Sequence, residues 1–228
     1  MVVETVFFDA GGVLVYPNWA RVSETLKRYG VDVSPEALAA AEPRAKHRLD
    51  CGDTVAATND ASRGWLFFDL ILTEAGVPLS DATTAALEEL QEYHRSSNLW
   101  EFVPPYVAST LAALRNQGLT LAVVSNANGT LCRHFDRLGL TTSFGCVLDS
   151  CDVQVEKPDP RIFQIALARS AAKPETTIHV GDIYHVDVVG ARSAGIHPVL
   201  LDEGGLYADA DCRRIRALPE LVDLVRQL

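Results

Sequence analysis

From Leu119 onward the chain alternates short aliphatic and β-branched runs with longer segments of helical periodicity, and this restricts the fold more than any other feature. "LTLAVVSN" is followed by "NGTLCRHFDRLGL", "CVLDS" by "DPRIFQIALARS", "TIHVGD" by "HVDVVGARSAG", and "HPVLLD" by "LPELVDLVRQL". Such βα repetition implies a parallel sheet with helices on both faces. Residues 2–8 are also nearly continuous in β-branched and aromatic residues, as a buried strand is, and "DAGGV" then forces a tight turn. From about Ser23 to His94 the spacing is helical only, with Ser34 and Ser80 placed as N-caps and Gly30 and Gly76 as stops. A chain of 228 residues, 48% of them hydrophobic, can bury a substantial core, as one domain with an insertion or as two small domains.

Charge and patterning exclude several partners. Thirty acidic against twenty basic side chains give a formal net charge of −10, which repels nucleic-acid phosphates and anionic membrane surfaces, so no nucleic-acid and no membrane partner is expected. The N-terminus has no leader pattern, and the most hydrophobic patch, "WLFFDLILTEAG", is interrupted by Asp69 and Glu74. Cys51, Cys132, Cys146, Cys151 and Cys212 are odd in number and lack CxxC spacing, which predicts buried, reduced thiols in a cytoplasmic protein.

In an open parallel sheet, ligands bind beyond the carboxyl ends of the strands. There the first strand presents Asp9, the second Ser125 and Asn126, and the fourth Gly181 and Asp182. Lys157 stands in "EKPDP", before a helix that Pro158 and Asp159 can start. Each residue alone is common as a cap or turn. Together they bring two carboxylates, a hydroxyl and a cation to one crevice, and buried charge is tolerated only when paired or coordinated.

"FFDAGGVL", "VVSN", "KPDP" and "VGDIYHVDVVGARSAG" fall, in this order and on these elements, where the haloacid dehalogenase superfamily carries its four motifs. The sequence resembles members of that family with a helical cap inserted after the first strand. The resemblance implies an α/β fold: a Rossmann-like, doubly wound parallel-sheet core over 1–16 and 101–228, with an α-helical cap over 17–100. It further implies a hydrolase: a magnesium-dependent phosphatase that acts on a small phosphorylated metabolite through an aspartyl phosphate on Asp9. In that reading Asp9, the backbone carbonyl of Gly11 and Asp182 hold Mg2+. Ser125 and the amide of Asn126 donate to phosphate oxygens. Lys157 balances negative charge and holds Asp9, and Asp187 acts through an outer-shell water or by orienting Lys157. Residues 16–20 and roughly 98–104 would form a two-stranded hinge, and the subunit state is monomer or homodimer.

Gly11 departs from the family pattern. Typical phosphatases of the family carry a second aspartate there, which protonates the leaving alcohol and then activates water. Glycine keeps the carbonyl for a metal but loses general acid–base help, a loss of about 10²–10⁴ in rate unless another group substitutes. His185 is one candidate substitute, against a plain surface or helix-start role. His47, Asp50 and Asp53 of the cap are others. His179, inside a strand, reads as a hydrogen-bonded core residue, and Trp19, Trp65 and Trp100 as packing, with Trp19 also placed to line a pocket. A haloacid dehalogenase is a weaker alternative, because carbon–halogen displacement gains nothing from Asp182 and Asp187. Phosphonate hydrolysis needs a cap lysine as Schiff base, whereas Lys27 and Lys46 read as solvated helix residues. The rival from another class is a catalytically weak or degenerate member that binds a phosphorylated ligand or a protein partner.

Overall fold

The computed structural model describes residues 2–51 and 60–228. Asp53 lies outside the described residues. The chain runs β1 (Thr5–Phe8), α1 (Trp19–Arg28), α2 (Pro35–Asp50), α3 (Asp60–Glu74), α4 (Asp81–Ser97), α5 (Tyr106–Asn116), β2 (Thr120–Ser125) and α6 (Leu131–Arg137). It continues through β3 (Cys146–Asp149), α7 (Ser150–Val153), α8 (Pro160–Arg169), β4 (Thr177–Gly181) and a π-helical turn (Tyr184–Val188) that leads into α9 (Val189–Ser193). β5 (His197–Leu201), β6 (Arg213–Ile215) and α10 (Leu221–Arg226) complete it. Two compact units result: Met1–Tyr16 with Val103–Leu228, and Pro17–Phe102.

The first unit is a six-stranded sheet in the order β3-β2-β1-β4-β5-β6, parallel throughout. β1 lies between β2 and β4, with Phe7 opposite Ala122 on one side and His179 on the other. The chain builds outward from β1 through β2 to β3, then returns to place β4 on the other flank. The order therefore reverses at β1, and crevices at such switch points are where ligands bind in open α/β sheets. Phe7, Ala122, Val124 and Leu148 pack with Ile162, Phe163 and Ala166 of α8. Burying each phenylalanine there contributes about 1.5–3 kcal/mol.

β6 was not expected from the sequence. "RRI" is short and has two exposed arginines, so it shows no apolar run, yet it pairs with Val199–Leu201 at the sheet edge, where charge is tolerated. Asp159 caps α8 by accepting from Arg161 N, and the proline of the first turn is Pro160 rather than Pro158.

The second unit, Pro17–Phe102, is helical. Ser34 caps α2, and Ser80 forms a reciprocal box with Thr83 at the start of α4, as the sequence indicates. α1 begins earlier than expected, because Asn18 accepts from Arg21 N at 3.0 Å and caps a helix starting at Trp19. Residues 19 and 20 are thus helical instead of extended. Trp19 is buried, with Nε1 donating to Glu42 at 3.2 Å. Trp65 and Trp100 pack on Phe68 and His94.

Lys46 is not a solvated residue. It is buried, its ammonium 2.8 Å from Glu42 one helical turn back, so the charge is matched where water is excluded. The cysteines also differ from expectation: all five are free, but Cys51, Cys132 and Cys151 are exposed and Cys146 and Cys212 only half-buried. Cys51 is the C-cap of α2, while Cys132 and Cys151 sit in the first turns of α6 and α7, outside the sheet core. Among the described residues, no helix is long and apolar enough to cross a membrane.

Candidate active site

β1 delivers Asp9 because its four buried residues hold it between two neighbours, and the Asp9 amide extends the ladder by donating to Val180 O at 2.8 Å. The chain then turns back on itself, with the carbonyl of Ala10 accepting from the amides of Leu14 and Val15. The left-handed position of this turn falls on Gly12, φ +73°, rather than on Gly11.

Three donors converge on Asp9 Oδ1: the Ala10 amide at 2.7 Å, Ser125 Oγ at 2.7 Å and Lys157 Nζ at 2.9 Å. Oδ2 takes no hydrogen bond among the described residues and stays open. Ser125 ends β2, in line with Asp149 of β3. Lys157 is held at both ends. Its backbone amide donates to Asn126 Oδ1 at 2.7 Å, and its carbonyl accepts from Asn126 Nδ2 at 3.0 Å. Its ammonium lies 2.8 Å from Asp187 Oδ1, fully buried.

Asp187 belongs to the π-helical turn after β4. Oδ1 accepts from Lys157 and also meets His179 Nε2 at 2.9 Å, while Oδ2 accepts from the Ile183 amide at 3.1 Å. Gly181 makes room for it: a Cβ there would lie 2.1 Å from Asp187 Cγ and 2.4 Å from Oδ2. Burial alone would raise the Asp187 pKa, but the Lys157 charge and the His179 hydrogen bond outweigh it and hold the carboxyl well below the usual range. Burial likewise pushes the Lys157 ammonium down, and Asp187 with Asp9 more than reverses that, leaving it firmly charged. For His179 burial prevails over Asp187, so its pKa falls and the ring is neutral.

The structure thus brings together Asp9, Ser125, Asn126, Lys157, Asp182 and Asp187. Asn126 acts here through its side chain, on the Lys157 peptide. Asp9, Asp182 and Asp187 offer oxygens within 4.8 Å of one another, and Asp182 is buried. Lys157 sets one ammonium between Asp9 and Asp187, and Asp187 is already engaged by protein donors. Asp9 with Asp182 therefore fits a hard divalent cation, which favours oxygen ligands. His185 is exposed on the π-helical turn, edge-on to Tyr184. His47 and Asp50 belong to α2 in the other unit. Sequence reasoning missed the link from His179 to Asp187, although a histidine in the otherwise apolar "TIHVG" signals a buried polar group in need of a partner.

Residues 3–195 match the family model described as haloacid dehalogenase-like hydrolase. The haloacid dehalogenase-like hydrolase domain-containing protein 3 of Mus musculus is 39% identical over 143 residues, 61% of this chain and 56% of that protein. The chain spans little more than half the length of the first such relatives. A glyceraldehyde 3-phosphate phosphatase of Methanopyrus kandleri is 33% identical over 174 residues, covering 71% of this chain and 72% of that one. Among solved structures, a 2-haloacid dehalogenase from Pseudomonas syringae pv. Tomato superposes with TM-score 0.61 at 26% identity, over 99% of both chains.

Proposed function

Since the chain belongs to the haloacid dehalogenase-like hydrolase family, we propose that it is a magnesium-dependent phosphatase of small phosphorylated metabolites, working through an aspartyl phosphate on Asp9. The observation that carries this reading is the cluster of three carboxylates, Asp9, Asp182 and Asp187, two of which (Asp9 and Asp187) share the Lys157 ammonium, at the carboxyl ends of β1 and β4. A carbon–halogen displacement has no use for so much negative charge, whereas a phosphoryl transfer that recruits a divalent cation does. Asp9 and Asp182, with the Gly11 carbonyl, would hold Mg2+, which when bound neutralises the phosphate and lets a carboxylate approach it.

In the first step the carboxylate of Asp9 forms a bond to phosphorus as the bond from phosphorus to the alcohol oxygen breaks. Ser125 Oγ can turn from Asp9 to a phosphate oxygen, and the Asn126 amide serves the same end. The Lys157 ammonium balances charge on Asp9 and on the phosphoryl group. The alcohol must leave with a proton, which Gly11 cannot supply. In the second step water adds to phosphorus, loses a proton, and breaks the acyl-phosphate bond to return the Asp9 carboxylate and inorganic phosphate. His185, three residues after Asp182 in the same loop, remains the proposed substitute acid of the core unit.

A screen of sugar phosphates, phospho-acids, nucleotides and 4-nitrophenyl phosphate tests the proposal. Turnover should need magnesium, stop with a strong chelator and vanish in Asp9→Asn, and Asp182→Asn should require more magnesium. Chelator-resistant release of halide from 2-haloacids, without phosphatase activity, would overturn it.

A further inference from the structure

We infer that His179 is a positioning residue: by donating from Nε2 it fixes the Asp187 carboxylate, so that Asp187 aims the Lys157 ammonium at Asp9. The inference rests on the phosphatase reading for its catalytic consequence, though not for its geometry. An unbroken chain of contacts runs from His179 Nε2 to Asp187 Oδ1 at 2.9 Å, on to Lys157 Nζ at 2.8 Å, and on to Asp9 Oδ1 at 2.9 Å.

The direction of the first hydrogen bond follows from the surroundings of the ring. Nδ1 is buried and has no hydrogen-bond partner among the described residues. A proton on Nδ1 would be stranded there, while Nε2 faces an ionised carboxylate that can only accept. The neutral ring therefore carries its proton on Nε2. The ring is also fixed in place. Phe163 meets it edge-on at 4.9 Å, and Phe7 and Pro198 are its register partners on the flanking strands.

Space along β4 is arranged to the same end. Gly181 lies two residues beyond His179, so the two share one face of the strand. The Asp187 carboxyl occupies the volume a side chain at Gly181 would need, and this is what lets it reach back to His179 and across to Lys157. Asn126 already fixes the Lys157 backbone. What is left to orient is the ammonium end, and Asp187 does so only while its own carboxylate is held. Without the Nε2 donor, Asp187 keeps, among the described residues, only the Ile183 amide and Lys157 itself as donors.

The test pairs His179→Leu, which removes the donor, with His179→Gln, whose amide can still donate from near the Nε2 position. With 4-nitrophenyl phosphate and magnesium, His179→Leu should lose about 10–100-fold in kcat with KM nearly unchanged. His179→Gln should recover most of the loss at a similar melting temperature. In crystal structures the Asp187 carboxylate should leave Lys157 in the Leu variant and stay in the Gln variant. Nitrogen-15 NMR of the wild-type ring should show the proton on Nε2. A proton on Nδ1, an undisturbed Asp187–Lys157 contact in His179→Leu, or equal losses in both variants would overturn the role of His179. A wild type without phosphatase activity would instead defeat the proposed function, and the NMR and crystallographic results would still decide the positioning.

Discussion

Replacing Gly181 by alanine inserts a single methyl group where the Asp187 carboxyl now lies. The added carbon would stand 2.1 Å from Cγ, 2.3 Å from Cβ and 2.4 Å from Oδ2 of Asp187, so the carboxyl must retreat by about 1.3 Å to regain ordinary contact at 3.4 Å. The Asp187–Lys157 hydrogen bond is 2.8 Å long and cannot absorb such a shift. Gly181 is not among the left-handed residues, so the effect comes from lost space and not from backbone strain. Overpacking of this kind costs about 1–3 kcal/mol. For a chain of this size that lowers Tm by roughly 2–12 °C. A displacement of about 1 Å at a positioning group costs about 10²-fold in rate. Scanning calorimetry and steady-state kinetics on 4-nitrophenyl phosphate measure both. If Gly181→Ala keeps wild-type kcat and Tm, Asp187 does not depend on that space and the account of how Lys157 is aimed fails.

The left-handed turn position falls on Gly12, so Gly11→Asp is accessible without a left-handed φ at the substituted residue. Wild type should release a burst of nitrophenolate and then turn over slowly, because water attacks the phosphoaspartate without a base at position 11. Gly11→Asp should shrink the burst and speed alkyl phosphates more than aryl ones in stopped-flow; no burst and no differential gain would mean that another group already moves the proton. Acidification should destabilise the fold. His179 has a lowered folded-state pKa, so the unfolded chain binds its proton first, and stability is lost as pH falls below about 6.5, at no more than about 1.4 kcal/mol per pH unit. Asp187, also lowered, adds a further loss below about pH 3.9. Urea titrations should show this, with a flatter slope between pH 7 and 5 in His179→Gln; identical slopes would remove His179 as the cause.

The parallel sheet and its helices were legible because each of β1 to β5 is written as a short, mostly apolar run, and the caps at Ser34 and Ser80 because hydroxyl side chains announce helix starts. Asp9, Ser125, Lys157 and Asp182 could be brought together from sequence because they stand at strand ends or just before a helix, so topology carries them to one crevice, whereas Asp187 entered only through the family resemblance. What stayed hidden depends on packing between distant segments. The i,i+4 spacing of Glu42 and Lys46 was open to a local rule, but that the pair is buried turns on how α2 packs within the helical unit, which periodicity does not encode. The partner of His179 comes from a π-helical turn, and the extra residue that such a turn inserts resets side-chain direction. The side chain of Asn126 holding the Lys157 peptide is a contact 31 residues apart in sequence, invisible to any local rule.

Phosphatase chemistry at this site requires a covalent bond between Asp9 and phosphorus. Rapid quenching of the enzyme with 4-nitrophenyl phosphate and magnesium, followed by peptide mass spectrometry under conditions that preserve acyl phosphates, tests it directly. One phosphoryl group should appear on the peptide bearing Asp9, and it should be missing in Asp9→Asn and after chelation. Turnover of the phosphate ester with no phosphoryl group ever found on Asp9, or with the group on another residue, would contradict the account.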